Sequence, residues 1–219
     1  MSVSEKTARI LIVDDHPSLC EGLGHRIDAQ PDLSVCGQAA DVKEALEQIR
    51  ATRPDVAIVD IALKNSNGLE LLKTLKARHH HVRALVHSMY EDSLYAGRCL
   101  HAGAMGYVNK EAHPDKVIEG IREILCGRIY LSPAMTSEIL GRTISGAGPQ
   151  SDSVDTLTDR QLEVFRLIGN GQTAQQIAAR LHISVHTVES HRENVKRKLN
   201  VTTLSELTRR AVLWTAQQR

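Results

Sequence analysis

Apolar positions over the first 130 residues alternate between two spacings. Short apolar runs rich in β-branched residues occur at Ile10–Val13, Leu33–Cys36, Val56–Val59, Ala84–Val86 and Met105–Val108. Between them, Val42–Arg50, Leu69–Arg78, Asp92–His101 and Pro114–Cys126 carry helical spacing, with Leu69, Leu72 and Leu75 stepping by three along one face. Strands alternating with helices predict right-handed crossovers, and so an α/β unit over residues 1–127 whose parallel five-stranded sheet is covered on both faces.

Residues 128–155 change character. Pro133–Leu140 fits a short helix, and GRTISGAGPQSDSVD is a Gly/Ser/Asp-rich linker. Residues 156–219 read as an all-α unit of four short helices. Its start signals are capping boxes at Thr158–Gln161, Thr173–Gln176 and Thr203–Glu206, with Ser184 a further N-cap. Gly169 and Gly171 mark the first helix's end, and only His182-Ile183-Ser184 separates the second helix from the third, which is helix-turn-helix spacing.

Composition sharpens this outline. Apolar residues make up 42% of the chain and aromatics only 3%, so the cores must be aliphatic, and the scarcity of aromatics argues against a stacking platform for single strands. The net charge of +1 hides an asymmetry: residues 155–219 hold ten Lys/Arg against six Asp/Glu, and the rest of the chain is acidic. A basic tail unit points to an anionic partner, nucleic acid above all, although solvated basic faces are common. Cys20, Cys36, Cys99 and Cys126 have no metal-binding or disulfide-framework spacing. With no signal-peptide pattern at the N-terminus and no apolar run of spanning length, a cytoplasmic protein with no membrane partner is expected.

The chemistry concentrates at strand ends. Asp14 and Asp15 follow the first strand, Asp60 ends the third, Ser88 the fourth, and Lys110 closes the fifth. Open α/β sheets bind ligands at these carboxyl ends. If the strand order is 2-1-3-4-5, the first and third strands are neighbours and the three acids converge. Crowded carboxylates need a hard divalent cation, for which Mg2+ is suited. Asp60 can then act as a nucleophile toward phosphorus, Lys110 as a compact positive charge and Ser88 as a hydroxyl donor. Taken singly, each is equally readable as a turn, cap or surface residue; five at successive strand ends are not.

LIVDDH, DVAIVD, LVHSMY and GAMGYVNK resemble the successive motifs of response-regulator receiver domains, over residues 8–126. The resemblance implies a flavodoxin-like fold, Asp60 as phosphoacceptor, Asp14, Asp15 and Asp60 as metal-binding acids, Ser88 and Lys110 as phosphoryl contacts and Tyr107 as the switch aromatic. An interior tyrosine is the alternative for Tyr107. Receivers commonly carry Pro four residues after the acceptor, where this chain has Lys64, and many carry Pro where it has Glu111. Neither change removes a catalytic group, but both bear on loop rigidity and phosphorylation kinetics.

LTDRQLEVFRLIGNGQTAQQIAARLHISVHTVESHRENVKRKLNV resembles the four-helix output domain of NarL/FixJ and LuxR-type regulators, from Leu157 to Leu213. On the recognition helix Val188, Val195 and Leu199 share one face, with His191 and Arg192 on its shoulders. The outer face makes Glu189, Ser190 and Glu193 candidates for base edges; Lys196, Arg197, Lys198 and Arg192 are the candidates for phosphates. The alternative for the Lys-Arg-Lys triplet is a solvated charged turn. Leu207 and Ala211 point inward on the last helix, and the family implies a homodimer on double-stranded DNA.

Together these readings predict a transcription regulator, not an enzyme. A sensor histidine kinase would phosphorylate Asp60, releasing a helix-turn-helix covered in the inactive state and favouring a DNA-binding dimer. An aspartyl-phosphate phosphatase would need an acid where Ala62 stands, and a ligand-sensing regulator an aromatic-lined cavity that the N-terminal half lacks. His79-His80-His81 reads as a solvated loop, since consecutive side chains diverge, and His16, beside the acid pair, as the start of a helix, with a place near the phosphorylation site as the alternative.

Overall fold

The computed structural model describes residues 7–63, 67–89, 93–144, 154–181 and 183–217. They fall into two compact units, Met1–Ile139 and Leu140–Arg219.

The first unit is built on β1 (Ala8–Val13), β2 (Leu33–Ala39), β3 (Val56–Val59), β4 (Arg83–Ser88) and β5 (Gly106–Asn109), all parallel in the order β2-β1-β3-β4-β5. Helices α1 (Pro17–Asp28), α2 (Val42–Thr52), α3 (Gly68–Arg78), α4 (Ser93–Ala102) and α5 (Asp115–Leu125) alternate with the strands. Ile10, Ile12, Val56, Ile58, Leu85 and Val108 form one core with Leu23 and Ile27 of α1 and Val117, Ile121 and Ile124 of α5. The intervening Leu11, Val13, Ala57, Val59 and Val86 are fully buried on the other face. Each buried Ile or Leu contributes about 2 kcal/mol, so the sheet interior is the main stabilising element.

Three departures from the sequence pattern have local causes. β2 runs on to Ala39 because a bulge at Cys36 shifts the register between Ile10–Val35 and Leu11–Gly37, breaking the strand period. After α5, Gly127 turns the chain at φ 79° and Tyr130 pairs with β5, its carbonyl accepting from Tyr107 N–H and its N–H donating to the Met105 carbonyl. Helix α6 (Pro133–Ile144) outlasts the expected Leu140 and takes in the first residues of the segment read as linker. The rest of that segment to residue 153, with Lys64, Asp92 and His182, lies outside the described residues.

The second unit contains α7 (Asp159–Gly169), α8 (Ala174–Leu181), α9 (Val185–Lys198) and α10 (Leu204–Gln217). Thr158 and Gln161 form a reciprocal capping box, as do Thr173 and Gln176. At α10, Thr203 accepts from Glu206 N–H, but the Glu206 carboxylate reaches one residue further back, to Thr202 N–H. The core is aliphatic around one aromatic contact, Phe165 to Trp214, with ring centroids 5.7 Å apart. Gly169 sits where a Cβ would meet the Ala211 carbonyl at 2.5 Å, which lets α7 and α10 touch.

Candidate functional site

Three backbone hydrogen bonds carry the ladder of the sheet one residue past the strands. Asp14 N–H donates to the Ala39 carbonyl at 3.0 Å, Asp60 N–H to Val13 at 2.8 Å and Lys110 N–H to Ser88 at 2.8 Å. Each candidate is thus pinned to a neighbouring strand end. Asp14, Asp60 and Ser88 are buried and Asp15 nearly so. The Lys110 ammonium lies between two of these acids, 2.7 Å from Asp14 Oδ2 and 2.6 Å from Asp60 Oδ2. The other oxygen of Asp60 accepts the Ala62 amide N–H at 3.1 Å.

Burial pushes the Asp60 carboxyl up from its ordinary range, against the pull of Lys110. Burial likewise opposes the charge on Lys110, but the Asp60 and Asp14 carboxylates outweigh it and hold the ammonium above its usual value. Lys110 is therefore a fixed positive charge, the compact kind that suits a phosphoryl oxygen. Next to it, His87 on β4 is buried, and burial, then the charge of Lys110, lower its pKa to about 4. It stands neutral there.

Three carboxylates against one ammonium leave the pocket electronegative. Asp15 Oδ1 is buried and accepts no hydrogen bond, which is costly for a carboxylate unless a cation meets it. His16 begins α1 as its N-cap residue and also joins the acids: its Nδ1 is 3.0 Å from Asp14 Oδ1 and 3.1 Å from Asp15 Oδ1. One donor atom each from Asp14, Asp15, His16 and Asp60 lies within 4.8 Å of the others. A mainly oxygen donor set of this size fits a hard divalent cation.

In the helical unit, Ser184 caps α9 by accepting from Thr187 N–H at 3.0 Å. Val188, Val195 and Leu199 are fully buried, and Glu189, Ser190, Glu193 and Arg197 are exposed. Glu189 and Glu193 bond to Arg192 and Lys196 one turn on, at 2.8 and 3.1 Å. Arg192, a phosphate candidate on the shoulder of the apolar face, falls on its buried side with Val188 and Val195, its side chain 10% exposed. Lys198 donates to the Thr156 carbonyl at 2.8 Å, tying the end of α9 to the start of the unit. Of the four cations, Arg197 is thus the one fully on the outer face, with Lys196 partly exposed.

Residues 10–122 match the response regulator receiver domain, and residues 155–211 the bacterial regulatory proteins of the luxR family. The chain is a LuxR-family response regulator. It is 34% identical to the nitrate/nitrite response regulator protein homolog of Haemophilus influenzae, over 88% of this chain and 90% of that protein. It is 31% identical to the oxygen regulatory protein NreC of Staphylococcus carnosus, over 93% and 96%. Among solved structures, a LuxR-family two-component response regulator from Aurantimonas sp. is 35% identical over 64% of this chain and 99% of that one, with a TM-score of 0.60. RcsB of Salmonella enterica bound to promoter rprA shares the fold at 21% identity and TM-score 0.63, over 93% and 98%. The response regulator is thus a phosphorylation-controlled transcription regulator, a family of DNA-binding switches rather than enzymes.

Within this response regulator, Asp14, Asp15, Asp60 and Lys110 come together as their strand-end positions predict, and Ser88 lies at the adjacent strand end, opposite Asn109 of β5. Tyr107 is buried on β5 opposite Val86. Glu111 is exposed, its N–H donating to Asn109 Oδ1 at 2.6 Å. His16 both starts α1 and lies with the acids, the two places its position beside the acid pair allows, while sequence reasoning missed two contributors, the Ala62 amide and Gly68. A Cβ on Gly68 would lie 2.1 Å from the Asp60 carbonyl, so α3 starts pressed against the backbone of the central acid. The only available signal was a glycine at the first turn of a helix, a position glycine does not favour.

Proposed function

We propose that Asp60 is the phosphoacceptor of this response regulator and that its phosphorylation shifts the chain toward a DNA-binding dimer. The observation that carries the reading is the Lys110 ammonium held between Asp14 and Asp60 at the carboxyl ends of the strands. A carboxylate oxygen of Asp60 attacks phosphorus, and the bond to the donor, a phosphohistidine of a sensor histidine kinase, breaks. Lys110 turns from Asp14 to the new phosphoryl oxygens and Ser88 donates its hydroxyl to them. Asp14, Asp15 and Asp60 hold one Mg2+, which when bound neutralises charge on those oxygens. Turnover on an outside substrate is disfavoured because Ala62, lacking an acid, lies two residues after Asp60.

The phosphoryl group adds a charge of about −1.5 to −2 at Asp60. Pulling Ser88 and Lys110 inward remodels the ends of β4 and β5, and Tyr107 transmits this toward α4. Residues 1–127 act as the receiver, 128–155 as the connection and 156–219 as the DNA-binding domain. Its recognition helix, α9, offers Glu189, Ser190 and Glu193 to base edges and Lys196 and Arg197 to phosphates. Arg192 and Lys198, given their bonds to Glu189 and Thr156, serve to position the helix. A structural neighbour, RcsB, binds two parallel DNAs as two dimers, which favours a homodimer here. Among the described residues no helix is long and apolar enough to cross a membrane, in keeping with a cytoplasmic regulator.

Radiolabelled acetyl phosphate tests the acceptor. Wild type is expected to take up acid-stable, base-labile label only with Mg2+ present, and Asp60→Asn none; equal labelling of the two would move the acceptor elsewhere.

A further inference from the structure

His16 lies where a fourth ligand of the acidic site would. The next residue is Pro17, and a residue before proline is held in extended backbone, as His16 is at φ −103° and ψ 100°. That conformation turns the imidazole back over the acids. Ligands adjacent to one another around an octahedral ion with bonds of about 2.1 Å stand about 3.0 Å apart. His16 Nδ1 meets this spacing twice, at 3.0 Å from Asp14 Oδ1 and 3.1 Å from Asp15 Oδ1.

Hydrogen bonding accounts for the first distance, between the ring Nδ1 and Asp14 Oδ1, but not for the second. Asp14 Oδ1 already accepts the His16 backbone N–H at 2.9 Å. Asp15 Oδ1, although 3.1 Å from the ring nitrogen, accepts no hydrogen bond and is buried. Among the described residues, the ring's polar contacts are these two acids alone. On cation binding the ring gives up the proton it shares with Asp14 and directs its lone pair at the ion, which also meets Asp15 Oδ1.

We propose that His16 is a nitrogen ligand that biases this site toward borderline first-row cations, of the Co2+ and Zn2+ class, over Mg2+. The inference rests on the cation-site reading above and adds to it. Imidazole binds such ions strongly and Mg2+ poorly, because Mg2+ is hard and keeps oxygen ligands and waters. The phosphorylation site would then respond to the identity of the available metal as well as to the kinase.

Isothermal titration calorimetry of the full chain with MgCl2, CoCl2 and ZnCl2 tests this on wild type, His16→Ala, His16→Gln and Asp15→Asn. His16→Ala is expected to lose about tenfold or more in Co2+ and Zn2+ affinity, with Mg2+ affinity within about twofold. His16→Gln is expected to match His16→Ala, and the visible bands of bound Co2+ should shift in both. Asp15→Asn should abolish the Zn2+ event at this site; a Zn2+ event that survives places the ion elsewhere, His79–His81 included, and overturns the proposal. So would unchanged Co2+ and Zn2+ affinities in His16→Ala, equal weakening of all three ions, or wild-type behaviour in His16→Gln. If wild type binds none of the three, the cation-site reading itself fails.

Discussion

Lys110 stabilises two buried carboxylates at once, and its removal separates electrostatics from packing. Breaking a buried ion cluster by deleting one partner costs about 3 kcal/mol or more, because the remaining charges stay desolvated. Lys110→Met should lose this much in urea unfolding with EDTA, and Mg2+ should restore most of it by neutralising Asp14 and Asp60. An equal loss with and without Mg2+ would contradict the charge account. His87 makes a different prediction. Its pKa is lowered to about 4 by burial, whereas an unfolded histidine titrates near about 6.5. The unfolded chain therefore binds more protons between those values, and stability is lost as pH falls through that window, by about 3 kcal/mol in all. His87→Leu should flatten this part of the stability–pH profile relative to wild type; parallel profiles would show that His87 is not the group. The five strand-end residues were legible because a parallel sheet turns sequence position into spatial position. His87 was not, since its burial and the charge of Lys110 come from other segments of the chain.

At the scale of elements, helix starts could be read in advance and helix faces mostly could. Capping is local, so Thr158, Thr173 and Ser184 act as their spacing implies. Gly68 belongs to the same level but is invisible there, since its neighbour is the Asp60 carbonyl. Gly68→Ala should displace the β3–α3 loop and cut the rate of Asp60 phosphorylation about tenfold or more, with a smaller effect on Mg2+ affinity measured by titration. An unaltered rate would show that α3 yields freely. On α9 the exposed acids are neutralised within their own helix, Glu193 by Lys196, which lowers their cost in the field of DNA phosphates. Glu193→Gln is expected to change base preference in a randomised-site binding selection. An unchanged preference would remove Glu193 from the base-reading set. Arg192 shows the limit of a helical wheel. The wheel put it on the shoulder of the apolar face, where either outcome was open, and tertiary packing buried it.

For the whole molecule, each unit has its own core, and control requires only that phosphorylation change the balance between a DNA-competent state and one that is not. A shift from 1:99 to 99:1 needs about 5.5 kcal/mol of differential stabilisation, within reach of a phosphoryl group with two new charge-assisted bonds and a dimer contact together. If the receiver restrains the DNA-binding domain, a chain of residues 150–219 should bind operator DNA more tightly than the unphosphorylated full chain in a gel-shift titration. Equal affinity would remove restraint from the mechanism and leave dimerisation alone.

By itself the sequence determined what depends on short-range order: the alternation of strand and helix, the caps, the helix-turn-helix spacing, and the placement of Asp14, Asp15, Asp60, Ser88 and Lys110 at strand ends. Those follow because period, capping and strand termination are set within a few residues. The tertiary structure alone decided how the charges meet. Lys110 between two acids and Gly68 beneath Asp60 join segments that sequence does not place side by side, and Arg192 is buried by what packs on α9; His16 against Asp14 and Asp15 is the local exception. Their energies come from burial and distance, and both exist only once the sheet and the helices have closed around them.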